Sequence, residues 1–322
     1  MNNGITFSGG GDKGAFSVGV VKGLLEKGKS YNMFSGTSTG ALICPLLAAG
    51  KLDVLQHVYT NVGYENIFSG GSFTSSAINV MFKNSIYEVD NLKKLIYKYY
   101  DQEVFNTLYR SEILVVVCTV CMENGVITYF TNKDIPGTSE YRVIRWNDVN
   151  EMRDSIFASC CQPVLMPPVD IDGFNYVDGG VKEFTPIDIL IKSGADSIDI
   201  IVTTPDTDSG TDFLATNGIK NTLLTTLNIL TNDVSYNDLK IARLYNRGVH
   251  FVEDVKTRVL QQTGIDPEIL NGILYSSKNP FWDKRELELN IYRPGHYLGS
   301  GLTFSTYQMN EMFNYGYNLI MS

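Results

Sequence analysis

Residues 33–40, Met-Phe-Ser-Gly-Thr-Ser-Thr-Gly, run a short apolar stretch straight into Gly36-Thr37-Ser38-Thr39-Gly40. A Gly-x-Ser-x-Gly placed after a strand and before a helix is a nucleophile-elbow pattern, and it ties the two elements through one tight turn. The elbow glycines Gly36 and Gly40 permit that turn, and Ser38 is expected to take a strained backbone conformation. Its hydroxyl is then lifted clear of the sheet, where a substrate carbonyl can reach it.

Two further motifs sit at compatible places. Gly9-Gly10-Gly11-Asp12-Lys13-Gly14 follows the apolar run Gly4-Ile5-Thr6-Phe7. Consecutive glycines leave backbone N–H groups open to an anion, and a helix beginning near Gly14 adds its positive end. Such a loop can hold a phosphate or the oxyanion of an acyl-transfer intermediate. Asp178-Gly179-Gly180 follows a hairpin predicted over 168–177, whose Asp172-Gly173 pair suits a two-residue turn. A carboxylate at a strand end beside glycines is placed to act as a base.

The rest of the chain reads as alternating strands and helices. Strands are predicted at 4–8, 31–35, 113–117, 126–131 and 198–204, and helices at 14–28, 39–49, 52–61 and within 88–109. The β-branched run Ile113–Val117 suits a buried central strand, and Glu123-Asn124-Gly125 a hairpin turn. This alternation predicts an α/β fold with a mostly parallel sheet covered on both faces. A helical pattern over 213–247 and an aromatic, glycine-rich stretch over 275–303 lead us to divide the chain into a core, 1–205, and a helical and loop cap, 206–322, completing the same domain.

Glycine loop, elbow serine and Asp-Gly-Gly, in that order, resemble the patatin-like phospholipase family. The likeness covers roughly 4–205 and includes Ala158-Ser159-Cys160-Cys161-Gln162-Pro163 and Pro167-Pro168. It implies a three-layer α/β/α fold and lipid acyl hydrolysis by a Ser-Asp dyad. Ser38 maps to the nucleophile, Asp178 to the base, and Gly9, Gly10, Gly11, Lys13 and Gly14 to the oxyanion hole. The chain departs from the family's pattern twice: Lys13 stands where many members carry arginine, and Phe184 where an asparagine often precedes the proline, here Pro186.

Bulk properties narrow the partners. With 26 basic and 35 acidic residues the net charge is −9, which argues against a general nucleic-acid binder and against adsorption to anionic membranes by charge alone. The expected partner is a lipid substrate at a membrane or micelle surface. No apolar run is long enough for a membrane span, no signal peptide is visible, and five cysteines fit reduced thiols, so the expected location is cytoplasmic or peripheral at membranes.

Competing motifs are weaker. Gly9, Gly11 and Gly14 also spell a dinucleotide fingerprint, but the second strand ends in Met33-Phe34-Ser35-Gly36 without the required carboxylate. Cys118 and Cys121 lie three apart in a strand-like run and so face opposite sides, and the loop at Asp170 and Asp172 lacks the later oxygen ligands of a calcium site. Neither a metal nor a cofactor is expected. A Ser-Asp-His triad would need His250 or His296, yet an elbow after only the second strand comes early for an α/β-hydrolase. Two other functions use the same residues: an acyltransferase, whose elbow serine usually follows a histidine where this chain has Thr37, and a catalytically silent binding protein.

Overall fold

The computed structural model describes residues 1–69, 85–206, 218–279, 281 and 286–322. The chain opens with β1 (Asn3–Phe7), α1 (Gly14–Glu26), β2 (Met33–Thr37), α2 (Thr39–Ala48), α3 (Leu52–Asn61) and the short α4 (Tyr64–Ile67). The helical pattern of 88–109 divides into α5 (Asp90–Tyr99) and α6 (Gln102–Arg110). Asp101 causes the break, because its carboxylate accepts the Val104 N–H at 3.0 Å and starts a new helix.

Next come β3 (Leu114–Cys121), β4 (Ile127–Thr131), β5 (Tyr141–Arg145), α7 (Val149–Cys160), β6 (Val169–Ile171) and β7 (Phe174–Asp178). Both predicted hairpins form, β3 with β4 and β6 with β7. In the second, Asp172 and Gly173 take φ of 53° and 80°, the left-handed pair that a two-residue hairpin turn requires. The chain continues through α8 (Asp188–Lys192), β8 (Ser197–Ile201), α9 (Ile219–Thr263), α10 (Pro267–Leu274), β9 (Glu288–Tyr292) and α11 (Thr306–Met321). The predicted helix at 213–247 corresponds to α9; residues 213–217 lie outside the described residues.

One mixed sheet runs in the order β5-β4-β3-β2-β1-β8-β9, with β7 also paired to β3. Five neighbouring strands, β3 to β9 in that order, are parallel. Period-two alternation sorts the side chains into two layers. Val115 and Val117 join the core formed with α1, α2 and α7, whereas Val116 and Cys118 join the core formed with α8 and part of α9. Cys118 and Cys121 accordingly face different layers, and all five cysteines are buried and free. The result is a three-layer α/β/α architecture.

The C-terminal portion is mainly helical, and it also adds the edge strand β9, parallel to β8, which the sequence reading does not foresee. Helix α11 packs tightly on α1. A Cβ at Gly19 would lie 2.0 Å from the Phe313 carbonyl oxygen, and one at Gly316 would lie 2.2 Å from that of Phe16. Glycine at both positions lets the two backbones approach, and Met309, Met312, Phe313 and Ile320 enter the main core. Among the described residues no helix is long and apolar enough to cross a membrane.

Candidate active site

The register of β3 brings the two halves of the site together. Strand β2 runs parallel along β3 and ends with Thr37 opposite Cys118. Strand β7 runs antiparallel along the same edge of β3 and ends with Asp178 opposite Thr119. The two strand ends therefore meet head to head, with Thr37 and Asp178 at the junction and Ser38 directly after Thr37. Sequence spacing alone cannot reveal this, because it depends on two strands sharing one partner.

Ser38 caps α2 with φ 57° and ψ −120°, an unusual backbone for a residue other than glycine. The elbow glycines serve by their size. A Cβ at Gly36 would lie 2.3 Å from the Gly40 carbonyl, and one at Gly40 would lie 2.3 Å from the Phe7 oxygen. The turn is further held by Ser159 of α7. Its Oγ accepts the Ser38 N–H at 3.0 Å and donates to the Cys118 carbonyl at 2.6 Å, filling the polar gap where β2 and β7 abut. The sequence places Ser159 in a recognisable stretch but assigns it no task.

Asp178 is buried. Desolvation pushes its carboxyl up to about 6; the Gly180 N–H, donating to Oδ1 at 2.8 Å, and the hydrogen-bonding Ser38 side chain both oppose that shift. A carboxyl with this value is largely ionised at neutral pH and remains a usable base.

The glycine loop divides into engaged and free amides. Gly9 N–H donates to the Phe184 carbonyl at 3.0 Å, Lys13 N–H to Gly10 at 3.2 Å, and Gly14 N–H to Asp12 and Gly11. Among the described residues the Gly10 and Gly11 amides have no acceptor, and both residues line the pocket that holds Ser38 and Asp178. Their φ values of 149° and 59° are open to glycine and strained for other residues. Of the five residues assigned to the oxyanion hole, then, Gly10 and Gly11 have amides to offer. Lys13 instead contributes its buried side chain to the pocket wall, and desolvation lowers its ammonium to about 8 against the opposing pull of Asp12.

The pocket has a volume of about 160 Å³ and is largely apolar, with Leu42, Leu46, Leu55, Ile96, Met166 and Met309 among its walls. Ser300, Gly301, Leu302 and Phe304, with Leu227, Asn228, Thr231 and Asn232 of α9, complete its lining. Asp12 fastens the 300–304 segment to the glycine loop, since its Oδ2 accepts the Thr303 and Phe304 amides at 3.1 and 2.8 Å. None of His57, His250 and His296 lines the pocket. His250 lies 3.8 Å from Glu286 on the surface, and His296 stacks on Tyr315.

These features define a three-layer α/β/α protein with an elbow serine facing a buried carboxylate. Residues 5–191 match the patatin-like phospholipase family, and the chain belongs to that family. It is similar to Probable lipid hydrolase 463L of Invertebrate iridescent virus 6, with 26% identity over 204 residues. That match covers 58% of this chain and 63% of the viral protein, so the chain spans less than two thirds of the curated relative's length. Among solved structures it resembles VipD from Legionella pneumophila, with TM-score 0.42 and 14% identity over 99% of this chain and 66% of that one.

Proposed function

We propose that this protein is a serine acyl hydrolase that cleaves fatty-acyl esters of lipids, of phospholipase A or lysophospholipase type, through a Ser38–Asp178 dyad. The observation that carries the reading is the head-to-head meeting of β2 and β7, which sets Ser38 beside a buried carboxyl in a mainly apolar pocket. Ser38 Oγ attacks the acyl carbonyl while Asp178 takes its proton. The Gly10 and Gly11 amides receive the charge that develops on the carbonyl oxygen. The alcohol departs with the proton from Asp178, leaving an acyl-enzyme. Asp178 then takes a proton from water as it attacks the ester, and returns that proton to Ser38 Oγ as the fatty acid is released. The apolar walls suit the acyl chain of such a substrate.

The test is hydrolysis of defined lipid esters by the wild type, Ser38→Ala and Asp178→Asn, with products identified by mass. Release of fatty acid by the wild type alone is expected. Equal release by Ser38→Ala would end the proposal, and transfer of the acyl group to an added alcohol in preference to water would make the protein an acyltransferase.

A further inference from the structure

Residues 183–186 bond through their backbone to a neighbour of each part of the site. The Glu183 carbonyl accepts the Thr37 hydroxyl at 3.0 Å, immediately before Ser38. The Phe184 carbonyl accepts the Gly9 N–H at 3.0 Å, immediately before the two free amides. The Pro186 carbonyl accepts the Ser35 hydroxyl at 2.6 Å, and the Glu183 N–H donates to Gly179 at 2.9 Å, beside Asp178. The Phe184 ring packs so close to the loop that a Cβ at Gly9 would lie 2.7 Å from it. This short segment fixes the glycine loop, the elbow strand and the base relative to one another.

Its own two consecutive amides point elsewhere. Phe184 N–H and Thr185 N–H both donate to one oxygen, Asp238 Oδ2, at 2.9 Å each. Asp238 lies in the middle of α9, next to Leu239 and near Ala242, which anchor the helix in the second core. A backbone amide pair shared by one carboxylate is a strong, directional contact. We infer that Asp238 is a positioning residue for the reaction: from α9 it holds residues 183–186 in the register that aligns Asp178 with Ser38 and the glycine loop. The inference rests on the dyad proposed above, and it assigns a part of the C-terminal region to that site.

The experiment compares Asp238→Ala and Asp238→Asn with the wild type by ester turnover per fluorophosphonate-titrated site, and by amide hydrogen exchange of residues 9 and 183–185. Asn keeps a carbonyl acceptor; Ala removes it. Asp238→Ala should lower kcat about 10- to 100-fold with KM within about threefold, as expected for misalignment of reacting groups. Exchange at residues 9 and 183–185 should rise while the sheet strands stay protected, and Asp238→Asn should restore most of both. Unchanged exchange in Asp238→Ala overturns the inference whatever the activity. So does a kcat per titrated site within twofold of the wild type, or an Asn variant as impaired as Ala. A wild type that neither labels at Ser38 nor cleaves esters overturns the dyad instead, and the exchange data still decide whether Asp238 holds the segment.

Discussion

The elbow side of the pocket and the C-terminal wall opposite it are built in different ways. On the elbow side, β1, the glycine loop, α1, β2 and the start of α2 lie within residues 3–48, and the strands and α1 are almost wholly buried. On the other side, α9 leaves Leu244 and Phe251 59% and 66% exposed, yet sends Asp238 to the 183–186 segment. Residues 300–304 reach the glycine loop through Asp12. Short-range motifs build the elbow and the glycine loop; long-range polar contacts and one helix pair join the C-terminal region to them.

The largest effect expected concerns that helix pair. A chain ending at residue 304 loses α11 and uncovers the face of α1 that holds Phe16 and Val20. We expect no folded, soluble product; a truncated chain with native-like circular dichroism and ester turnover would show that the core stands without its C-terminal wall. Next, Gly11→Ala places a Cβ 1.8 Å from the Gly301 carbonyl oxygen at a φ of 59°. The amide donor should be displaced, with a loss of about 100-fold or more in turnover, as for removal of one oxyanion donor. Near-native turnover in folded Gly11→Ala would break the assignment of that loop.

Stability should also depend on pH in a direction set by the two sides meeting. Burial raises Asp178 to about 6, Asp238 to about 7 and Glu183 to about 8; at Glu183 the nearby Asp238 adds to the rise and the hydrogen bond from the Tyr129 hydroxyl opposes it. All three values lie above those of the unfolded chain, so the folded protein binds more protons between about pH 4 and pH 8. That stability is fully present below the unfolded values and is lost as pH rises through 6 to 8. Tm should therefore fall across this window, and Glu183→Gln should flatten its upper part; a Tm that climbs from pH 5 to pH 8 would contradict the burial argument. The smallest effect is expected at the histidines. His57→Ala, His250→Ala and His296→Ala should each stay within about tenfold of wild-type turnover, since a general base contributes about 100-fold or more.

The elbow, the glycine loop and both hairpin turns were legible because each depends on residues adjacent in the chain. Asn124-Gly125 and Asp172-Gly173 specify their turns locally, and the Ser38 turn announces itself by its flanking glycines. The meeting of Ser38 with Asp178 was legible only through resemblance, because β3 joins them. Ser159 was visible only as part of a recognisable stretch and Asp238 not at all, since a serine or aspartate that satisfies a distant amide looks like any polar residue on a helix. Strand β9 was missed because Glu288–Tyr292 offers only Leu289 and Ile291 as alternating apolar positions before its final tyrosine. The splitting of the helical pattern at Asp101, by contrast, follows from a cap that the sequence does contain.

The central claim is that Ser38 is activated by a buried Asp178, and the rate of fluorophosphonate labelling as a function of pH tests it most directly. The adduct should map to Ser38, and its rate should rise with pH through an apparent pKa of about 6, as the Asp178 carboxyl ionises. Asp178→Asn should remove that rise and most of the rate while the protein stays folded. Labelling at another residue, or a Ser38 rate that keeps its pH dependence in Asp178→Asn, would contradict the account.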